Sequence, residues 1–534
     1  MRFVLKSPKI PTSQEELKEL LLANRSITDA DAFLNPQHPN SLSPEAVGID
    51  ASEMEKAIRR IKKAISKKEK IVVFGDYDAD GICASAVLWQ TLVNAGADAI
   101  PFIPDRITHG YGLSTKAIQT IIESEKPALI VTVDNGIVAH EAAEFTKKQG
   151  IDLIISDHHQ PEEKLPTAFA IVHTTQLCGA TVAWMIAREL DEKSAEKQLD
   201  LCAIATIADQ VRLVGPNRSF AYHGLKALAE TERPGLLSLF ESSAIDKKTI
   251  NTGTVGFQIG PRINAAGRIG DGISALRLLC TEKRSAADRI AKELTTLNTE
   301  RQDMTVKAVE EAQKQVASQQ DEYLLIAASP DYHEGVIGLV AGRLTEEFHK
   351  PSIVFAIGEK SIKGSARSVY GINVVELIRS ESANLTSVGG HPMAAGLGLL
   401  PDMFEEVKKN LFAVAKKMID PVLLEESVSA DCVLSHEMIS LETIETISAL
   451  APFGSGNSQP RFLLQNIEIA DVKSIGRESK HSKIFIKLSD GRVLEAVQWN
   501  VTPDQINLAG VNEIVARLKM SEWRGRKKVE LVLS

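Results

Sequence analysis

At 534 residues the chain exceeds what one hydrophobic core fills, so three or four domains are expected. Its 44% hydrophobic and 25% charged residues suit a globular protein; no run reaches the apolar length that spans a bilayer, and the start lacks a signal-peptide core, which reads as cytoplasmic. A net charge of −9 argues against a uniformly basic nucleic-acid coat, and five scattered cysteines (Cys83, Cys178, Cys202, Cys280, Cys432) argue against a zinc cluster or a disulfide framework.

In chain order, residues 1–47 offer one short amphipathic helix, Gln14 to Ala23, and a Pro/Asn/Ser stretch, which read as an N-terminal arm. A charged helix follows from Lys56 to Lys68. From Ile71 the pattern becomes strand, loop, helix, repeated. Ile71 to Phe74 leads into a Gly/Asp loop and a helix from about Ile82 to Ala95; Ala128 to Val133 ends at Asp134-Asn135-Gly136; Ile151 to Ile155 ends at Ser156-Asp157-His158-His159. Continuous Val/Ile runs between helices indicate a parallel sheet covered on both faces. Asp209 ends a helical stretch that begins at Lys197.

Residues 283–318 read as a long polar helix with Ile290, Leu294 and Leu297 at helical spacing, a stripe thin enough to favour an interdomain connector over a coiled coil. A second α/β segment runs from Tyr323 to about Met418, and short alternating strands after Pro460 form a small all-β module. From Arg461 to Ser534 there are 13 Lys and Arg against 9 Asp and Glu, a local +4 that fits a solvated face as well as a binding face.

The chemistry concentrates where strands end, the edge at which open α/β sheets bind ligands. Gly75-Asp76-Tyr77-Asp78-Ala79-Asp80-Gly81 sets three carboxylates within five residues, a repulsion that divalent cations relieve best. An EF-hand is excluded because its twelfth position is Val87 and the loop follows a strand. Asp134 alone reads as a helix cap, and gains weight only because a third strand ends in Asp157-His158-His159. Carboxylates with one imidazole suit Mn²⁺ or Mg²⁺ better than Zn²⁺, and a two-metal centre can activate water and steady an in-line phosphoryl displacement.

Gly-Asp-Tyr-Asp-Ala-Asp-Gly, Thr-Val-Asp-Asn-Gly-Ile, Asp-His-His and Ile-Ala-Asp, in that order, resemble the four motifs of the DHH phosphoesterases. Further segments at 104–113, 260–268, 333–344, 364–368, 389–396 and 452–457 narrow the resemblance to the RecJ family of single-strand-specific exonucleases, over nearly the whole chain from about residue 48. The resemblance implies an α/β fold: an N-terminal arm (1–47), a parallel-sheet DHH catalytic domain (48–225), a helical connector (226–320) with a long helix, an α/β DHHA1 domain (321–420), and a linker with a C-terminal OB-like β-barrel that binds single strands (421–534). It implies two divalent ions, Mn²⁺ or Mg²⁺, held by Asp78, Asp80, Asp134, His158 and Asp209. Asp76 and Asp157 would be ligands or partners that orient them, and His159 would face the scissile phosphate. Some relatives carry a metal-binding His where this chain has Phe74, so that part of the ligand set is left open.

In DHHA1, Gly389-Gly390-His391 would bring backbone N–H groups and a catalytic His to a phosphate; read without the resemblance it is a tight interstrand turn with a buried His. Arg106, Ser365 and Arg367 would form the pocket for the 5′ phosphate. Arg262 and Arg268, in a Gly/Ala/Asn-rich turn, either touch the strand or join domains. In the β module Arg524, Arg526 and Lys527 lie beside Trp523, while Phe485 and Trp499 are either stacking platforms or core. The expected activity is 5′→3′ degradation of single-stranded DNA to 5′-mononucleotides in DNA repair and recombination, by a monomer that works with a helicase and a single-strand-binding protein. The rival enzyme class is a small-substrate DHH phosphodiesterase of oligoribonuclease or cyclic-dinucleotide type, which generally lacks the β module. A non-catalytic scaffold of the same fold tends to lose metal ligands, and here the motifs are intact.

Overall fold

The computed structural model describes the chain except for residues 1, 106, 107, 109, 111, 477, 478, 507–510, 524 and 534. The substrate-binding expectations for Arg106 and Arg524, and that for the Trp523 side chain, lie outside the described residues. Among the described residues two compact units are present: Phe3–Gly267 with Asp271–Leu294 and Val428–Ser534 form one, and Arg268–Gly270 with Thr295–Ser427 and Arg2 form the other.

Strand β1 (Arg2–Leu5) opens the chain. It is followed by β2 (Ile71–Phe74), β3 (Ala99–Phe102), β4 (Leu129–Thr132), β5 (Asp152–Asp157) and β6 (Ala170–His173). The last five pair in parallel in the order β3-β2-β4-β5-β6. β2 and β4 are uniformly buried, which is why they read as unbroken Val/Ile runs rather than alternating ones. Val72, Phe74, Ile130 and Ile155 cluster with Ile118 and Ile121 of helix Thr115–Glu125 and with Ala142 and Ala143 of helix His140–Lys148. Because the chain leaves β2 for β3 on one side and returns to β4 on the other, the order reverses between β2 and β4. Ligands bind at such a crevice, and the acidic loops after β2 and β4 flank it.

Helix Arg284–Val316 is the long connector expected, and the chain passes from one unit to the other along it. In the second unit β7 (Leu325–Ser329), β8 (Ser352–Ile357), β9 (Ile362–Arg367), β10 (Ser387–His391) and β11 (Ala394–Leu399) form a sheet in the order β10-β11-β9-β8-β7, parallel between β7 and β8 and antiparallel elsewhere.

β12 (Ser427–Ala430) pairs with β1. β13 (Cys432–Val433), β14 (Phe462–Gln465), β15 (Glu468–Ile475), β16 (His481–Lys487), β17 (Val493–Gln498), β18 (Glu513–Trp523) and β19 (Arg526–Leu533) form the C-terminal sheet in the order β13-β14-β18-β19-β17-β16-β15.

The first 47 residues differ from the expected arm. Leu17, Leu20 and Leu21 of helix Gln14–Ala23, with Phe33, share one core with Phe462, Ile484, Ile486, Leu518 and Leu531 of the C-terminal sheet. Polar contacts seal the join: the buried Arg25 guanidinium donates to Asp431 at 3.2 Å and Asn457 at 2.8 Å, and Lys6 reaches Asp431 at 3.4 Å. The amphipathic period showed that the helix needed a partner, but a partner four hundred positions away leaves no local trace.

Two further expectations are corrected. Residues 260–268 are helical, within Gly260–Ile269, although two glycines, a proline and an asparagine disfavour it; burial of Ile263, Ala265, Ala266 and Gly267 outweighs that propensity. Gly389 and Gly390 lie in β10 and not in a turn, and His391 at its end is exposed, not buried.

Candidate metal centre

The loop after β2 enters helix Ala79–Asn94 three residues earlier than its hydrophobic pattern predicts, because Asp78 is the N-cap: its Oδ1 accepts from the Asp80 and Gly81 N–H groups at 3.0 Å each. Asp76 is buried and accepts from the Tyr77 N–H at 2.7 Å. Asp80, in the first turn, points both oxygens at a second helix start: Gly179 and Ala180 of helix Gly179–Leu190 each donate to it at 2.7 Å.

Asp134 follows β4 in a left-handed conformation (φ 64°) with its N–H bonded to Ser156 O. Asp157 closes β5 and is fully engaged, accepting from the N–H groups of Ile137, His158 and His159 and from His159 Nδ1 at 2.7 Å. Asp209 caps the C-terminal end of helix Leu199–Ala208, where helix carbonyls already face it and a carboxylate gains from a cation.

Among the described residues three sets of ligand atoms each lie within 4.8 Å of one another: Asp76, Asp78 and Asp134; Asp80, His158 and Asp209; and Asp134, His158 and His159. Asp134 and His158 bring the sets together, with 3.1 Å between Asp134 Oδ1 and His158 Nε2. His158 Nε2 also stands 3.7 Å from Asp80 and from Asp209.

Burial, then the charges of neighbouring carboxylates, pushes Asp76 up to about 8 and Asp80 up to about 7, and raises Asp134 and Asp209 well above the ordinary carboxylate range. Burial and then the charge of His159 bring His158 down to about 4, so its ring is neutral at pH 7. Burial opposes charge on His159 too, but the hydrogen bond and charge of Asp157 outweigh it and hold this ring up at about 9. In return, His159 outweighs the burial of Asp157 and keeps it below its ordinary value.

The donor set fits divalent cations. Asp134 Oδ1 is buried with no hydrogen bond, and His158, whose ring also bonds the Leu177 backbone, turns Nε2 toward three carboxylates. A neutral imidazole and a carboxylate oxygen at 3.1 Å suit two ligands of one ion. Phe74 takes no part: it is fully buried in the sheet core, stacked on Phe102 with ring centres 5.5 Å apart.

Some residues that build the centre carry no sequence signal. Backbone donors such as those on Gly179 and Ala180 are invisible in a motif. Gly179 is tightly constrained, since a Cβ there would lie 2.5 Å from Asp134 Cβ and 2.6 Å from Cγ. Gly179→Ala is therefore expected to displace Asp134 and lower kcat about 100-fold with the fold intact, as a kinetic assay with circular dichroism would show. Asn264, on the helix that was expected as a turn, accepts from the Ala79 N–H at 2.7 Å and so props the Asp76–Asp80 loop. Arg262 bonds Gln258 O and Arg268 bonds Gly335 O, so both are engaged within the fold.

In the second unit, Arg367 bonds the Ser365 hydroxyl at 3.3 Å, and both face Gly338 in the first turn of helix Ile337–Phe348, whose N-cap Val336 offers no side-chain cap. Antiparallel register puts His391, Ala394 and Arg367 in one row and Gly389, Gly396 and Ser365 in the next, on the same face. Among the described residues nothing stands within 4 Å above Gly389 or Gly396, so the two make an open floor beside a cation, a hydroxyl and a helix start, an arrangement that suits an anion. In the C-terminal sheet Arg526 and Lys527 are exposed, Trp499 is exposed against His481, and Phe485 is half-buried beneath Lys473. Neither aromatic is core.

Family models describe the same three modules: "DHH family, N-terminal domain" matches residues 70–206, "DHHA1 domain" 321–417 and "RecJ OB domain" 430–534. The single-stranded-DNA-specific exonuclease RecJ of Bacillus subtilis is 37% identical over 96% of this chain and 67% of its own length. That of Escherichia coli is 30% identical over 100% of this chain and 97% of its own length. The chain belongs to the RecJ family. The crystal structure of Thermus thermophilus RecJ in complex with Mn²⁺ superposes on this RecJ-family chain with a TM-score of 0.84 at 28% identity, covering 100% of this chain and 78% of that one. The α/β architecture with DHH, DHHA1 and OB modules expected from sequence is thus found in both fold and family. Asp209 lies just beyond the DHH match, and reaches the RecJ-family centre through the helix that carries it. No helix among the described residues is long and apolar enough to cross a membrane.

Proposed function

We propose that this protein is a single-stranded-DNA-specific 5′→3′ exonuclease that releases 5′-mononucleotides in DNA repair and recombination, acting as a cytoplasmic monomer beside a helicase and a single-strand-binding protein. The observation that carries the chemistry is the pair of adjoining ligand sets, Asp76/Asp78/Asp134 and Asp80/His158/Asp209, with Asp134 and His158 between them. Each set would hold one Mn²⁺ or Mg²⁺ ion, and bound ions supply Lewis acidity, making water nucleophilic at neutral pH and offsetting charge on phosphoryl oxygens. The reading of the substrate follows the relatives named as single-stranded-DNA-specific exonucleases and the match to an OB domain.

Each side chain then has a distinct task. His158 stays neutral and serves as a ligand. Asp157, with both oxygens engaged, acts as a positioning residue: it fixes the proton of His159 Nδ1 and so orients the ring, whose charge would face a nonbridging phosphate oxygen. A ring held at about 9 carries positive charge at pH 7, which suits a dianion-like transition state. Ser365, Arg367 and the Gly389–His391 strand would receive phosphate oxygens, with Arg367 reading the 5′ end. Arg526 and Lys527 would steer the backbone of the strand.

Digestion of single strands labelled at either end, with and without Mn²⁺, tests the proposal. Labelled mononucleotide should appear first from the 5′ end and only with metal; release from the 3′ end first would overturn the polarity. Hydrolysis of dinucleotides with no preference for longer strands would shift the reading to the small-substrate class.

A further inference from the structure

A cavity of about 570 Å³ opens at the outer edge of the parallel sheet, in the unit that holds the metal centre. Its walls come from four elements. Edge strand β3 supplies Pro101, a residue that sheets confine to their edges. Helix Ala79–Asn94 supplies Trp89, half-buried, whose indole N–H donates to Ala99 O of β3 at 2.9 Å and so fixes the ring across that strand. Helix Gly272–Cys280 presents Ile273, Leu276 and Arg277. The first turns of helix Arg284–Val316 present Arg289 and Ile290, the latter from the thin apolar stripe of the connector.

Clefts of roughly 300–1,000 Å³ with apolar walls and a few charged groups are the usual sites for small ligands. Charge narrows the choice here. The chain carries a net −9, yet among the described residues this lining holds two arginines and no carboxylate. Arg277 is exposed, and among the described residues its guanidinium makes no ion pair or hydrogen bond. Arg289 pairs with Glu293 at 3.8 Å, one turn along its own helix, a contact that exposure leaves weak. Both cations can therefore take an anion, beside a slot whose indole and prolyl rings suit a flat apolar body.

The ligand that joins those two properties is an aromatic anion, and the exonuclease reading above makes one at every turnover, a 5′-mononucleotide. We infer that this cleft is a nucleotide site separate from the metal centre, with the base against Trp89 and Pro101 and the phosphate on Arg277 and Arg289. The choice of a nucleotide among aromatic anions rests on that reading. Trp89 and Asp80 share one helix but stand about 14 Å apart along its axis. Gln198, at the start of helix Leu199–Ala208, clamps the same stretch by donating to Val87 O at 3.2 Å and Thr91 Oγ1 at 2.9 Å. The cleft thus lies away from the reacting phosphate, beside the far ends of the two helices that carry Asp80 and Asp209.

The test follows tryptophan emission of the full-length protein in EDTA as dAMP is added, with excitation where adenine does not absorb. dAMP should quench part of the emission, and Trp89→Phe should remove that part. Arg277→Glu should raise the half-quenching concentration about tenfold, since it sets a like charge against the phosphate. Deoxyadenosine, which lacks the phosphate, should need about tenfold more than dAMP in the wild type and the same amount in Arg277→Glu, because phosphate and guanidinium form one interaction. ATP acting at lower concentration than dAMP would assign the site to the cellular nucleotide pool; dAMP acting at an equal or lower one assigns it to the released product. The cleft is a nucleotide site in either case.

Absent quenching, quenching that survives in Trp89→Phe, or a concentration that Arg277→Glu leaves unchanged would each overturn the inference. If the wild type then still degrades strands from the 5′ end in Mn²⁺, only this site falls. Quenching at Trp89 in a protein that degrades no strand keeps the site and overturns the nuclease reading. Circular dichroism checks folding, which a change at the exposed Arg277 leaves undisturbed.

Discussion

Asp134→Asn is expected to abolish cleavage, with kcat down at least about 1,000-fold, and at the same time to make the metal-free protein more stable. The two effects share one cause. Asp134 is buried, and its carboxylate is opposed by burial first and then by Asp80, Asp78 and Asp76. Without ions that repulsion is borne by the fold, so an isosteric amide relieves it. The sign follows from linkage. Asp76 and Asp80, at about 8 and about 7, lie above the unfolded value near 4, so their contribution to stability is present below pH ~4 and is lost as pH rises to about 8. Thermal melts of the wild type in EDTA should therefore fall between pH 5 and 8, and saturating Mn²⁺ should flatten the decline. Asp134→Asn should melt about 2 °C higher than wild type in EDTA at pH 8 and gain less from Mn²⁺. A variant that melts lower than wild type in EDTA would show that Asp134 is structural and not a ligand.

Arg218→Ala should destabilise the unit that holds the metal centre by at least about 3 kcal/mol, read from urea unfolding. Arg218 is 1% exposed. Its guanidinium donates to four carbonyls, those of Phe33, Leu450, Ala451 and Pro452, and its centre lies 3.7 Å from the Phe33 ring. Burial lowers it only to about 10, so it stays charged, and truncation leaves four acceptors facing a cavity. Arg218→Lys should recover only part of the loss, since an ammonium on a flexible stem cannot span the same fork. Cleavage at temperatures where the variant is folded should be nearly unchanged; a stability loss below 1 kcal/mol would mean that water replaces the guanidinium.

The metal centre was readable because a parallel sheet gathers the ends of its strands at one edge, so Asp76, Asp134, Asp157 and His158 converge whatever the loops do. Roles within it were less readable. Asp134, which alone reads as a cap, caps nothing, and Asp78, expected only as a ligand, is the cap. Gly179 and Ala180 act through backbone N–H groups, which every residue has. Asn264 lies in a segment with poor helix propensity that tertiary burial makes helical. The Gly389-Gly390 pair reads as a turn because glycine suits turns, yet in β10 Gly389 leaves the sheet face open, while Gly390, at φ 137°, has no room for a Cβ against the Ala394 carbonyl. Contacts between helix Gln14–Ala23 and the C-terminal sheet were beyond reach, since a hydrophobic face names its need and not its partner.

That shared core has a consequence for biosynthesis. Lys6 and Asp431 are 425 positions apart, so the first helix emerges from the ribosome long before the sheet that covers it. At roughly 5–20 residues per second the wait is on the order of 20–85 s. Throughout it Leu17, Leu20 and Leu21 lack the C-terminal partners that bury them in the folded protein. The Leu213 N–H, four positions beyond Asp209, is bonded at 2.7 Å to Ser455 O in the late-arriving segment. The nascent chain thus lacks this tether until its last quarter is made.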